Sequence, residues 1–242
     1  MFYFDDFHGK KVLKSTLLKD EDCFFTTRQF VLTYADRNDL KEQAENNRIF
    51  LADMLDCKEI TTVKQIHSDN IEIVQQGKNF YDNTDGLISN IPNTLMIMNF
   101  ADCVPVILFS QKDKTGAIVH AGWRGTAAEI VYKAVNKMKA ELNINPKDIT
   151  ALIGPSIGKC CFETHTDAFE QLIKNKNDKS LYEEKGGKYF IDLKKLNYNQ
   201  LINAGVENID TCSYCTCCMS DIFFSYRKEN GITARHSAVV KI

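Results

Sequence analysis

Two of the five histidines and one of the nine cysteines stand where strand-like runs begin or end. His67 follows TTVKQI and leads into Ser68-Asp69, and His120 follows GAIV and leads into Ala121-Gly122. An imidazole at a strand end lies where loops gather and sites are built. Cys103 precedes the strand-like run VPVILFS. If that run pairs with GAIVHA through the turn QKDKT, Cys103 and His120 are offset by about three residues, roughly 10 Å of strand, which side chains and a bulge can close. Nothing in the spacing of His67 requires that it join them. A convergent His₂Cys set is a sound zinc site with a fourth position left for water or substrate. Zinc would hold Cys103 as thiolate and lower the pKa of water towards neutrality. The same donors also suit copper. The plainer alternative is that Cys103 is one more small buried residue. His8 and His165 sit in polar surroundings and read as surface residues, and His236, before the final strand, reads as structural.

A denser signal is CSYCTCC, Cys212 to Cys218. Cys212 and Cys215 have C-x-x-C spacing, but a closed zinc site needs four ligands with tetrahedral reach. Adjacent Cys217 and Cys218 would rarely both turn inward, and no second C-x-x-C pair follows. Cys160-Cys161 could contribute only if the fold brought them near. The sequence therefore favours packed thiols over a metal there.

The elements that must position these residues mix helix and strand. Helical patterns cover about Asn38 to Leu55, with Leu40, Ala44 and Leu51 on one side, then Asp167 to Lys174, and Leu193 to Asn203 with Gly205 at C′. A further helix is expected from Thr126, where Thr126 and Glu129 make a T-x-x-E capping box ahead of Ile130, Val131, Ala134, Val135 and Met138. Strand candidates are EITTVKQIH, NIEIVQQ, TLMIMNF, VPVILFS, GAIVHA, ITALIG, KYFIDL and SAVVKI, short and bounded by turn residues. Several consecutive strands without regular βαβ alternation point to an α+β arrangement with antiparallel or mixed sheets. No linker divides the chain, so residues 1–242 read as a single domain.

Composition narrows the function classes. With 30 basic and 32 acidic residues, net charge −2, the chain carries no electrostatic footprint for nucleic acid. The N-terminal MFYFDDFHGKK lacks the basic n-region of a signal peptide. The most apolar stretch, LMIMNFADCVPVILF, is broken by Asn99, Asp102 and Pro105, short of the roughly 18 residues that span a bilayer. A cytoplasmic chain is expected, with thiols rather than disulfides.

The stretches KQIHSDNI, TDGLIS, ADCVPVILFS, VHAGWRG, IGPSIGKCCFE and CT…FFSYRKENGITAR carry a resemblance covering about Lys64 to Arg235. In this order they resemble the motifs of the YfiH-like laccase-domain family, also labelled multicopper polyphenol oxidase, purine nucleoside phosphorylase or peptidoglycan editing factor. The resemblance implies that His67, Cys103 and His120 are the metal-binding catalytic set. It also implies a layered α/β sandwich with mixed sheets, similar to the catalytic domain of the cytotoxic necrotizing factor, a cysteine hydrolase. Ser68 replaces a frequent Gly, Ser156 stands where GPCIG is common, and Ala234 replaces the Gly of TGR. In CSYCTCC only Cys215-Thr216 matches a family motif.

Around the metal set, Arg124 beside His120 and just ahead of a helix N-terminus would make an anion site suited to phosphate, or else pairs with an acid. Arg227 and Arg235 are further substrate-binding candidates. Gln65 and Asp102 flank the ligands and would orient substrate or ligand, or else are exposed or turn-forming. The resemblance implies a zinc enzyme, copper being possible, that phosphorolyses adenosine, inosine and S-methyl-5′-thioadenosine and also deaminates adenosine. The H-x-E and P-C-x-x-C signature of base deaminases is absent. The alternatives are a Cys-His hydrolase editing a peptidoglycan precursor, a laccase-like copper oxidase, for which five histidines are few, and a non-catalytic protein with a structural metal. The expected partners are small molecules, a purine nucleoside and phosphate, with no nucleic acid or membrane, in a monomer or weak homo-oligomer.

Overall fold

The structure is a computed structural model that describes residues 1–57, 59–173 and 178–242. Two large mixed sheets lie face to face. The seven-stranded sheet runs in the order Phe2–Phe7, Lys10–Ser15, Cys23–Thr26, His236–Lys241, Leu95–Phe100, Ile60–Val63, Phe80–Tyr81. The six-stranded sheet runs Asn208–Thr211, Thr150–Ile153, Val104–Ser110, Thr115–Ala121, Gly86–Ser89, Ile71–Ile73. A small three-stranded sheet, Glu163–Thr164, Lys188–Ile191 and Tyr182–Lys185, stands apart from both. Parallel pairs, such as Ile71–Ile73 with Gly86–Ser89, sit among antiparallel ones, so the sheets are mixed as the sequence predicts.

The period-2 alternation of the strands sorts the chain into four layers. Met96, Met98 and Phe100 on one sheet meet Ile107, Phe109 and Ile118 on the other in the central core. The opposite face of the six-stranded sheet, with Val104, Val106, Leu108 and Val119, is covered by helices Ile130–Leu142 and Leu193–Asn203. The opposite face of the seven-stranded sheet, with Leu95, Ile97 and Val239, is covered by helix Lys41–Met54 through Leu51. Both strand faces being buried explains why VPVILFS reads as a continuous apolar run.

The eight strand candidates all contain observed strands, and the Asn38, Asp167 and Leu193 helices form with small shifts at their ends. Helix Thr166–Ile173 is the observed form of the third, and the expected end at Lys174 lies outside the described residues. Gly205 does take the left-handed conformation after helix Leu193–Asn203, at φ +91. The expected capping box does not form. Thr126 falls inside a separate short helix, Trp123–Ala127, and Glu129 takes φ 60 at the start of Ile130–Leu142 without a side-chain capping bond. The Thr126 hydroxyl instead accepts a bond from buried Asn197 at 3.0 Å, tying the short helix to Leu193–Asn203. Among the described residues no helix is long and apolar enough to cross a membrane.

Candidate metal centre

The chain crosses from the seven-stranded to the six-stranded sheet through Ala101, Asp102 and Cys103, between strands Leu95–Phe100 and Val104–Ser110. The hairpin register pairs His120 with Pro105, so Cys103 lies two residues beyond His120's partner, closer than the offset of three expected. His67 arrives from a third segment, beyond strand Ile60–Val63, at φ +63. One donor atom each from His67, Cys103 and His120 lie within 4.8 Å of one another, an arrangement that could hold a metal ion.

Asp85 builds this arrangement, and sequence reading misses it. It sits fully buried just before strand Gly86–Ser89, and its carboxylate accepts bonds from the backbone N–H groups of Ile66 (3.3 Å), His67 (3.0 Å) and Ser68 (2.7 Å) and from the Ser68 hydroxyl (2.7 Å). Those bonds fold the His67 turn, to which Ser68 contributes both its N–H and its hydroxyl. The same carboxylate meets His120 Nδ1 at 2.7 Å, which leaves Nε2 as the nitrogen facing Cys103. A carboxylate behind a ligating imidazole fixes its tautomer and raises its basicity. The signal in the sequence was the Asp of TDGLIS, whose residue type also suits a turn.

Gly122 completes the cradle. A Cβ there would stand 3.1 Å from His67 Cδ2, 3.2 Å from Cys103 Sγ and 3.7 Å from His120 Cε1. Only the absence of a side chain leaves the donors room to converge.

Electrostatics follow from these contacts. Desolvation pushes the half-buried Cys103 thiol up, but the charge of His120 and bonds from His120 and His67 outweigh it and bring it to about 6. Burial pushes His120 down, while the Cys103 thiolate and Asp85 carry it up to about 9. Burial also pushes Asp85 up, but the bonds from His120 and Ser68 hold it at about 2. Without an ion the row is thiolate, imidazolium, carboxylate, and a cation can take the place of the Nε2 proton.

The three donors open on a cavity of about 510 Å³, lined also by Gln65, Asp102, Phe162, Tyr226, Arg227 and Arg235. Seven of the eight residues predicted from sequence therefore share one space. The eighth, Arg124, lies elsewhere. The short helix starts at Trp123, so Arg124 falls in its first turn rather than ahead of it, and its guanidinium lies 4.2 Å above the Trp123 ring. It lines a neighbouring cavity of about 890 Å³ with Phe162, His165 and Arg227.

Gln65 and Asp102 turn out to be structural ties. Gln65 exchanges two amide bonds with the Asn99 backbone, at 2.8 and 2.9 Å, and so mimics one more step of strand pairing. Asp102 accepts from the Thr216 hydroxyl at 2.6 Å and from the Arg227 N–H at 2.7 Å. Arg227 spends one N–H on each of the Cys161 and Glu163 carbonyls, and Arg235 donates to those of Thr233 and Ala234. The remaining histidines stay apart, as expected: His8 and His165 are exposed, and His236 is buried beside Phe223 and Phe100.

Comparison with known proteins agrees with this architecture. YfiH of Bacillus licheniformis superposes with a TM-score of 0.88 at 29% identity, over 99% of this chain and 98% of that one. YlmD of Geobacillus stearothermophilus gives 0.89 at 26% identity, over 100% and 99%. In sequence, a purine nucleoside phosphorylase of Clostridium acetobutylicum is 33% identical over 235 residues, 93% of this chain and 95% of its own length. The YlmD purine nucleoside phosphorylase of G. stearothermophilus is 33% identical over 211 residues, 81% and 77% of the two chains. Residues 28–242 match the family described as multi-copper polyphenol oxidoreductase laccase, and the chain belongs to that family.

Proposed function

We propose that this chain, as a single domain over residues 1–242, is a metal-dependent purine nucleoside phosphorylase. It would convert adenosine, inosine and S-methyl-5′-thioadenosine to free base and ribose 1-phosphate, with adenosine deamination as a companion activity. One observation carries the reading: the His67, Cys103 and His120 donors share their cavity with two guanidinium groups and two aromatic rings. A volume of about 510 Å³ lies within the usual range for small-molecule sites, roughly 300–1,000 Å³. The relatives that carry the phosphorylase name support the same substrate class.

Each group then has a task. Phe162 and Tyr226 offer faces for a planar base. Arg227 and Arg235 are pinned by carbonyls, and Arg235 Nη2 also lies 3.7 Å from the exposed Asp36 carboxylate, for which phosphate, matched by the guanidinium fork, would compete. Asp102, with both oxygens taken, positions Arg227 through its backbone, and Gln65 positions the strand beside His67. Asp85 holds the His120 proton at Nδ1 and so orients Nε2. A zinc ion held by His67, Cys103 and His120 would supply a Lewis acid at the cavity floor, and copper also suits these donors. A multi-copper oxidase finds less support, since among the five histidines only His67 and His120 meet.

The test is base release from inosine and adenosine, with and without phosphate, in wild type and Cys103→Ala. Phosphate-dependent release that is lost on metal removal and in the variant supports the reading. Release unchanged in Cys103→Ala would sink the site.

A second reading has its own observation. Cys103, His120 and Asp85 form a row of nucleophile, base and orienting carboxylate, the arrangement of a cysteine hydrolase. This suits the editing of a peptidoglycan precursor and the cytotoxic necrotizing factor similarity. Hydrolysis of such a precursor that persists after chelation and disappears in Cys103→Ser would select it.

A further inference from the structure

All nine cysteines are free thiols, and four of them meet far from Cys103 in sequence. The Sγ atoms of Cys160, Cys161, Cys215 and Cys218 lie within 4.8 Å of one another. Cys218 Sγ is 3.7 Å from that of Cys160 and 3.5 Å from that of Cys161. The spacing of the set is Cys160-Cys161 with C-x-x-C at Cys215 and Cys218, not the Cys212–Cys215 pair that the sequence suggested. Cys212 is buried in the central core, and Cys217, although its side chain reaches that of Cys161, does not belong to the four whose sulfurs all meet.

The backbone is arranged for this meeting. Gly158 O accepts from both Cys161 N and Phe162 N at 2.9 Å, a tight turn that brings adjacent cysteines to one side. Cys215 O accepts from Met219 N at 2.9 Å, a helical turn that puts Cys215 and Cys218 on the same face. A bridge between Ser156 and Cys215, with Thr216 N donating to Ser156 O at 3.1 Å, clips the two turns together. Gly158 N donates to Cys215 Sγ at 3.1 Å. A Cβ on Gly158 would stand 3.2 Å from both Cys160 Sγ and Cys215 Cβ, so this glycine keeps the space for sulfur.

Four sulfurs around a tetrahedral zinc, at about 2.3 Å each, are separated by about 3.8 Å along each edge. The 3.5 and 3.7 Å separations match that edge. An iron–sulfur cluster interposes its own iron and sulfide atoms and holds its cysteines farther apart. Charge also fits: Lys159, Lys194 and Lys195, against the single carboxylate of Asp192, line the cleft of about 350 Å³ that Cys160 and Cys215 share. Lys194 is buried and donates to the Cys212 and Tyr214 carbonyls at 2.8 and 2.6 Å, which places a cation beside an anionic tetrathiolate.

We propose that Cys160, Cys161, Cys215 and Cys218 form a second metal site, a closed tetrathiolate for one thiophilic ion, zinc foremost. Its effect is structural. The first turn carries Ile157 and Phe162 into the cavity wall, and the second carries Thr216, whose hydroxyl holds Asp102 beside Cys103. The ion is a clasp behind the wall of the first site, and its existence does not depend on what that first site does.

The experiment measures zinc per chain after purification under reducing conditions with zinc supplied. Cys160→Ser and Cys218→Ser are expected to hold one zinc fewer than wild type, while Cys57→Ser, whose side chain among the described residues bonds only the Leu55 and Asn93 carbonyls, holds as much. Equal content in wild type and Cys218→Ser, or equal loss in Cys57→Ser, overturns the proposal. Wild-type protein gives a second readout that does not depend on variants folding. Cys160 and Cys218 are exposed, yet with zinc bound they should resist iodoacetamide until a chelator is added. Rapid labelling with zinc present, or protection lifted by a reductant and not by a chelator, also overturns it.

Discussion

Asp85 and His120 hold each other twice. The Asp85 carboxylate meets His120 Nδ1 at 2.7 Å, and the Asp85 carbonyl accepts from His120 N at the same distance. The ring is thereby fixed in position and in the nitrogen it presents. Asp85→Asn keeps the shape but loses the charge and offers the His67 and Ser68 N–H groups one acceptor fewer. Metal affinity of the first site is expected to fall about 10- to 100-fold, as for other groups behind metal ligands. Competition titration of zinc against a chromophoric chelator, in a Cys218→Ser background that isolates this site, checks it.

Gly122→Ala tests the cradle. Its φ of −64 and ψ of 171 suit alanine, so the backbone carries no penalty, and the added methyl strikes His67 and Cys103 instead. The variant should fold with a Tm close to wild type and lose base release by about 10-fold, since His67 and Cys103 must shift by a few tenths of an ångström to clear the methyl. Thermal unfolding beside the nucleoside assay separates the two effects.

Arg227 and Arg235 predict a split between kinetic constants. Loss of one charged hydrogen-bonding group to phosphate is expected to cost about 1.5–3 kcal/mol, or about 10- to 100-fold in phosphate KM. Arg235→Ala should show this in phosphate KM with a smaller change in nucleoside KM. Initial rates across a grid of both substrates decide it.

His236 predicts acid sensitivity. Burial pushes it down to about 3, and the one group that counters this, the Pro155 backbone, is too poorly aligned to satisfy either ring nitrogen. The unfolded chain titrates near 6.5, so between about 3 and about 6.5 it binds a proton that the folded chain refuses. Stability contributed here is full above about pH 6.5 and falls as the pH drops through that window, by up to about 1.4 kcal/mol per pH unit. His236→Phe, packing against Phe100 and Phe223, should remove that slope. Urea denaturation of both proteins from neutral to acid pH provides the comparison.

What the sequence made legible follows its local signals. The strands around Cys103 and His120 announce themselves by composition, and the QKDKT turn sets their register closely. The N-terminal hairpin Phe2–Phe7 with Lys10–Ser15 went unread, though His8-Gly9, at φ 50 and 83, is the kind of two-residue turn that marks one. Asp85 was hidden because its partners lie on separate segments, His67 in the turn beyond Ile60–Val63 and His120 on strand Thr115–Ala121. The cysteine set was hidden for the same reason: Cys161 and Cys160 lie 57 and 58 residues before Cys218, and it takes the pairing of Ser156 with Cys215 and the Gly158 bond to Cys215 Sγ to join them. Arg124 misled because a five-residue helix intervened where a single longer one was expected.

The seven-stranded sheet places His236–Lys241 between Cys23–Thr26 and Leu95–Phe100. Those two strands have no common neighbour until residue 241 has left the ribosome. During synthesis each must wait with an open hydrogen-bonding edge, the condition under which nascent chains pair wrongly with one another. Arg235, next to that strand, joins the cavity at the same late moment. A ribosome paused before residue 236 would therefore hold a chain with its metal donors made and its sheet unsealed.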